Sequence, residues 1–125
     1  MNTAAWAVQV ILAVMLFGAG LAKATQKREQ LQALSPNMAW TEDFGDVTIR
    51  LIGIAEVLGA LGLILPLWTG IAPVLTPVAA VGLTVIMIGA AVTHLRRNEF
   101  NAMAPPVVLA AGAIFVAWAR FSGVA

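Results

Sequence analysis

The sequence predicts an all-α fold, a polytopic membrane four-helix bundle with a short interfacial segment between helices 1 and 2. Three observations carry that prediction. Of the 125 residues, 61% are apolar and only 10% are charged, whereas a water-soluble domain carries about 25% charge and about 45–50% apolar residues. A chain this short buries too little of its surface to hide the surplus. The apolar residues fall into four runs, near 4–24, 47–66, 73–95 and 105–121, each close to the roughly 20 residues that cross a hydrocarbon core. Residues 1–125 therefore read as a single transmembrane domain.

The first span ends at Ala22-Lys23-Ala24, a small-x-small triplet resembling a signal-peptidase site. No Lys or Arg precedes the run, and it exceeds the usual 7–15 apolar residues of a signal sequence, so it reads as a retained helix. The good helix formers after Ala24 predict a continuation into water as far as Ser35-Pro36, where the proline imposes a stop. Trp40 and Phe44 then stand four apart around Glu42 and Asp43. That spacing suits either a short helix lying in the interface or a plain interfacial loop.

The second span opens near Asp46, an N-cap type, and is expected to end at Pro66. An uncharged turn, Pro66 to Gly70, leads to Pro73 and Pro77, which fit the opening of a third span ending at Arg96-Arg97. Pro105-Pro106 opens the fourth, which at about 17 residues is near the lower limit for crossing.

Charge predicts the orientation. Lys23, Lys27, Arg28, Arg50, Arg96 and Arg97 lie in or beside the links after spans one and three, against Arg120 alone on the other side. The positive-inside rule then places both links in the cytoplasm and both termini outside. Trp6, Trp68 and Trp118 form an aromatic belt on the outer side.

Composition excludes several chemistries. There is no cysteine, hence no thiol redox step, thiolate zinc site or cysteine-held iron–sulfur cluster, and the single His94 builds no polyhistidine metal site. No metal is expected. A net charge of +1 offers no field for nucleic acid.

Glu56 is the most informative position. It lies ten residues into the second span, about 15 Å along a helix, where a charge costs about 2.5–3.5 kcal/mol on insertion scales. Such a residue faces the bundle interior and has a partner. It either locks two helices together or handles a ligand, ion or proton. Gly53, Gly59 and Gly62 share its drifting stripe, which suits close helix packing. Lys23, Arg50 and His94 reach the same side of the membrane by antiparallel connectivity. Arg50 is six residues from Glu56, about 240° around the helix, so Lys23 or His94 is the better partner. Arg50 is free to bind the interface or to pair with Asp43 or Asp46. Imidazole ordinarily titrates near neutrality, which makes His94 the natural proton carrier. The candidate ligand-binding residues are Lys23, Arg50, Glu56, His94 and Trp40, with Glu56 and His94 the catalytic candidates. Arg96 and Arg97 read as topology determinants, and Gln9 as a bond to another helix.

The stretches FGAGLAK (Phe17 to Lys23), RLIGIAEVLGALGLILP (Arg50 to Pro66) and HLRRNE (His94 to Glu99) resemble the DoxX-like family of small bacterial membrane proteins. The resemblance spans all four helices. It implies that Lys23, Arg50, Glu56 and His94 are recurrent polar positions, and that a quinone or another small hydrophobic molecule is the expected ligand in a redox-linked role. No cofactor is evident from the residues themselves. A different class of function, an accessory or assembly factor packed against a partner membrane protein or a second copy, stays open. A small proton-coupled transporter is a third reading. That class carries its glutamate in the first span, where this chain has Gln9.

Overall fold

In the computed structural model, which describes residues 2–34 and 36–122, inward positions recur every three or four residues along each span. Helix α1 (Asn2–Thr25) buries Ala5, Gln9, Leu12, Leu16 and Gly20. Helix α3 (Asp46–Thr69) buries Ile49, Gly53, Glu56, Ala60 and Leu63. Helix α4 (Leu75–Arg96) turns Ala80, Leu83 and Met87 inward, and α5 (Ala104–Phe121) turns Ala110, Ala113 and Val116 inward. That spacing is the seam of an antiparallel bundle. The spans pack as a closed ring, α1 on α3, α3 on α4, α4 on α5 and α5 back on α1. A short helix α2 (Arg28–Leu34) and two 3-10 segments, Pro36–Asp43 and Phe100–Ala102, complete the chain.

The bundle is apolar outside as well as inside. Val14, Leu58, Val85 and Val108 are all more than 60% exposed on the outward faces of the four spans. Such a continuous apolar coat belongs in lipid. Among the described residues, four helical stretches are long and apolar enough to cross a membrane. The protein is a multi-pass, all-α membrane protein, as its composition predicts.

Several boundaries differ from the sequence reading. The first helix does not run on to Ser35. It stops at Thr25, and α2 restarts the chain with the Lys27 amide donating to the Gln30 carboxamide oxygen at 2.8 Å. α2 ends at Leu34, and the proposed stop at Ser35 lies outside the described residues. Asp46 is not the N-cap of α3. Gly45 holds that place in extended conformation, and Asp46 enters the first turn, where its charge complements the helix dipole. Pro66 does not end the second span either. It removes one backbone donor inside α3, yet the helix continues to Thr69 and closes on Gly70, left-handed at φ 76°, whose amide donates to the Pro66 carbonyl. The third helix begins at Leu75, just after Pro73. Of the two forms open to the stretch around Trp40 and Phe44, the structure has the short helix, the 3-10 segment Pro36–Asp43, which ends just before Phe44.

A polar cluster ties the bundle at the end where α1 begins. Gln9 Nε2 donates to the Leu63 carbonyl at 2.6 Å, and Arg120 Nε donates to Gln9 Oε1 at 2.8 Å. Arg120 also donates to Asn2 and stands 5.4 Å from the Trp6 ring. Gln9 is thus the interhelical bond its position suggests. It joins α1 to α3 and α5.

Candidate functional site

At the opposite end, α1 and α3 meet backbone to backbone. A Cβ added at Gly53 would stand 2.5 Å from the Gly20 carbonyl oxygen and 2.6 Å from the Ala24 amide nitrogen. A Cβ at Gly20 would stand 2.7 Å from the Gly53 carbonyl oxygen. Only glycine permits that approach. Three residues further along each helix, Lys23 Nζ lies 2.6 Å from Glu56 Oε1. The ammonium also sits 5.7 Å from the centre of the Trp40 ring, within cation–π range. Gly59 and Gly62 serve the other neighbour, receiving Leu83 and Ala79 of α4.

The Lys23–Glu56 pair is bordered by two cavities. One, of about 270 Å³, is lined by Trp40, Phe44, Ile52, Gly89, Ala90 and His94 among others. The second, of about 290 Å³, reaches towards Leu16, Pro106 and Leu109. Lys23, Trp40, Glu56, Met87, Ala90 and His94 line both. The space is therefore an apolar chamber with one polar group of residues at its centre. Glu56 is fully buried, and its Oε2 has no hydrogen-bond partner among the described residues.

His94 comes to the chamber from the last turn of α4. Its surroundings are set by the way that helix ends. Asn98 adopts the left-handed conformation at φ 58°. The Asn98 amide then donates to the Leu95 carbonyl at 3.1 Å and the Glu99 amide to the His94 carbonyl at 2.8 Å, a Schellman closure. The turn folds Glu99 back onto the imidazole it caps, with Oε1 2.9 Å from His94 Nδ1. Glu99 Oε2 accepts from Arg97 Nε at 3.1 Å, and Arg97 Nη1 donates to Asp43 at 2.8 Å. The hydrogen bond from His94, then that from Arg97, hold the Glu99 carboxyl below the usual carboxylate range. Bonds to Asp43 and Glu99 push the Arg97 guanidinium up.

Those bonds fasten a cover. The 3-10 segment carries Trp40, which packs edge to face on Phe44 with ring centres 5.4 Å apart. Arg97 grips its far end at Asp43, Arg28 Nη1 donates to the Phe44 carbonyl at 2.8 Å, and Gln32 Nε2 donates to the buried Thr41 hydroxyl at 3.0 Å.

Of the five residues singled out from sequence, the structure brings Lys23, Trp40, Glu56 and His94 together. Arg50 stands apart, exposed on α3 and absent from the chamber walls, because its six-residue offset turns it away from Glu56. Arg97, read as a topology determinant, is also the centre of an ion-pair cluster. Sequence reasoning missed the pairing of Glu99 with His94. The Asn98-Glu99 stop after a basic helix end is the signal that points to it.

A sequence-family model described as the DoxX-like family matches residues 7–116. The chain belongs to the DoxX-like family. That match contains every residue of the chamber and its cover, and ends short of Arg120. No curated protein and no solved structure matches the chain. Within this DoxX-like protein, among the described residues, no group of three or more His, Asp or Glu side chains is placed to hold a metal ion.

Proposed function

We propose that the protein binds a small apolar molecule with a polar head in the chamber around Glu56, the quinone-like class of ligand that the family resemblance suggests. The single observation that carries this reading is the buried Glu56 Oε2 without a partner. A buried ion pair is favourable only when its remaining lone pairs are met, and an unmet acceptor costs about 1–3 kcal/mol. A lock between helices needs no such orphan and no cavity beside it. A ligand head that donates to Oε2, as the hydroxyl of a hydroquinone does, removes that cost, while the apolar walls take its tail. A pocket with few polar groups in an apolar lining is the usual form of a small-molecule site.

Lys23 holds the carboxylate in place, Trp40 covers the pair, and His94 supplies a second polar contact. A bound hydroquinone would supply two-electron redox chemistry, and the redox-linked role rests on the resemblance alone. The positive-inside rule supports an orientation with the chamber at the cytoplasmic end and both termini outside, in a bacterial inner membrane.

The test is native mass spectrometry after gentle extraction, on wild type, Glu56→Gln and Ala90→Leu. Ala90 lines both cavities, so the leucine fills space while sparing the ion pair. The expected result is an extra small-molecule mass in wild type that is lost from both variants. A wild type that carries none, or an Ala90→Leu protein that keeps it, refutes the reading. A partner chain retained in place of a small molecule favours an accessory role.

A further inference from the structure

The polar groups around the chamber differ in what they leave unmet, and that difference selects among ligands. Lys23 gives one N–H to Glu56 Oε1 and sets its ammonium 5.7 Å from the centre of the Trp40 ring. With the pair ionised, Glu56 is an acceptor only, and its Oε2 is the unmet atom among the described residues. His94 places Nδ1 against the Glu99 carboxylate at 2.9 Å. A carboxylate accepts and cannot donate, so the neutral imidazole keeps its proton on Nδ1 and carries a lone pair on Nε2. In that tautomer Nε2, on the ring edge away from Glu99, offers an acceptor. The unmet Oε2 and, in the neutral ring, Nε2 are therefore both acceptors.

We propose that the chamber selects a ligand whose head donates hydrogen bonds, a phenol, hydroquinone or other hydroxyl on an apolar tail, over one whose head only accepts, and that Glu99 is the positioning residue that makes it so. This rests on the reading of the chamber as a ligand site. Glu99 lines neither cavity itself. It acts by fixing which nitrogen of His94 bears the proton. The Schellman turn at Asn98 delivers the carboxylate to Nδ1, and Arg97 Nε holds its second oxygen at 3.1 Å. Without Glu99 the imidazole is free to move its proton to Nε2, and the acceptor becomes a donor. A quinone head, which has carbonyl oxygens alone, would then regain a partner at His94.

Two measurements test this on the full chain in lipid nanodiscs. The first compares binding of para-decylphenol with para-decylanisole, which differ by the donor hydrogen and a methyl group, and with a decyl-substituted benzoquinone. The phenol is expected to bind at least about tenfold more tightly than the other two. Equal binding of phenol and anisole, or tighter binding of the quinone, overturns the proposal while leaving the ligand site standing. Failure of all three to bind overturns both.

The second is independent of any ligand. His94 is the one histidine in the sequence, so nitrogen-labelled histidine reports a single imidazole. Above pH 8 the wild type is expected to show the Nδ1–H tautomer. Glu99→Leu is expected to move the proton to Nε2 and to erase the preference for phenol over quinone. Glu99→Gln, whose carboxamide oxygen also accepts from Nδ1–H, is expected to restore both. A wild type in the Nε2–H form, or a Glu99→Leu protein that keeps the Nδ1–H form, refutes the positioning role.

Discussion

Replacing Gly53 by alanine tests the claim that the ion pair depends on backbone contact between α1 and α3. The new Cβ would lie 2.5 Å from the Gly20 carbonyl oxygen and 2.6 Å from the Ala24 amide nitrogen. Both obstructing atoms are backbone, so no rotamer change relieves them. Restoring ordinary contact near 3.4 Å moves the helices apart locally by about 0.9 Å. If Lys23 and Glu56 follow their backbones, the 2.6 Å contact opens to about 3.5 Å, outside hydrogen-bond range. Overpacking of this kind costs about 1–3 kcal/mol. Alanine returns about 0.5–1 kcal/mol through its helix propensity. The balance is a net loss of about 1–2 kcal/mol, with the upper figures favoured because the clash is rigid. Gly18, exposed on α1 with nothing within 4 Å of its Cβ position, is the control. Thermal unfolding in a fixed lipid or detergent should show Gly53→Ala several degrees below wild type and Gly18→Ala at or above it. A Gly53→Ala protein as stable as Gly18→Ala would refute the argument.

Three other outcomes are expected. Lys23→Met leaves a buried carboxylate without its cation and should cost about 3–5 kcal/mol, much of which the double variant with Glu56→Leu should recover in a double-mutant unfolding cycle. Arg97→Gln should leave global stability within about 1 kcal/mol, since its ion pairs are partly exposed, but should speed amide exchange across residues 36–44 as the cover loosens. Glu99 is held below the carboxylate range by His94 and Arg97, so its contribution is complete above about pH 4.3 and is lost as pH falls through its lower folded value. Amide exchange at residues 97–102 should therefore rise at the acid end of that range, and Glu99→Gln should flatten the dependence.

Much of the bundle is legible from the chain, because lipid and water divide residues by composition over runs of about 20 residues. The convergence of Lys23, Glu56 and His94 follows from antiparallel connectivity plus depth, and Arg50 fails to join because depth says nothing about angle. The helix ends are less legible. Pro66 reads as a stop, yet α3 passes through it. Pro36–Asp43 has too few apolar residues for periodicity to choose its form. The cover is invisible for a different reason. Arg97 reaches Asp43 across 54 positions of sequence, and such a pairing is settled only when the ring of helices closes.

The glycine seam also bears on how the chain enters the bilayer. A glutamate carried alone inside a span is costly to insert, by up to about 2.5–3.5 kcal/mol. The ammonium that offsets it comes from the span made immediately before, and the contact that joins them requires only backbone, with no side chain of α4 or α5. α1 and α3 can therefore cross as a hairpin with the charge pair already formed. The remaining two spans then meet a neutral surface, and the chamber takes shape only when they close over it.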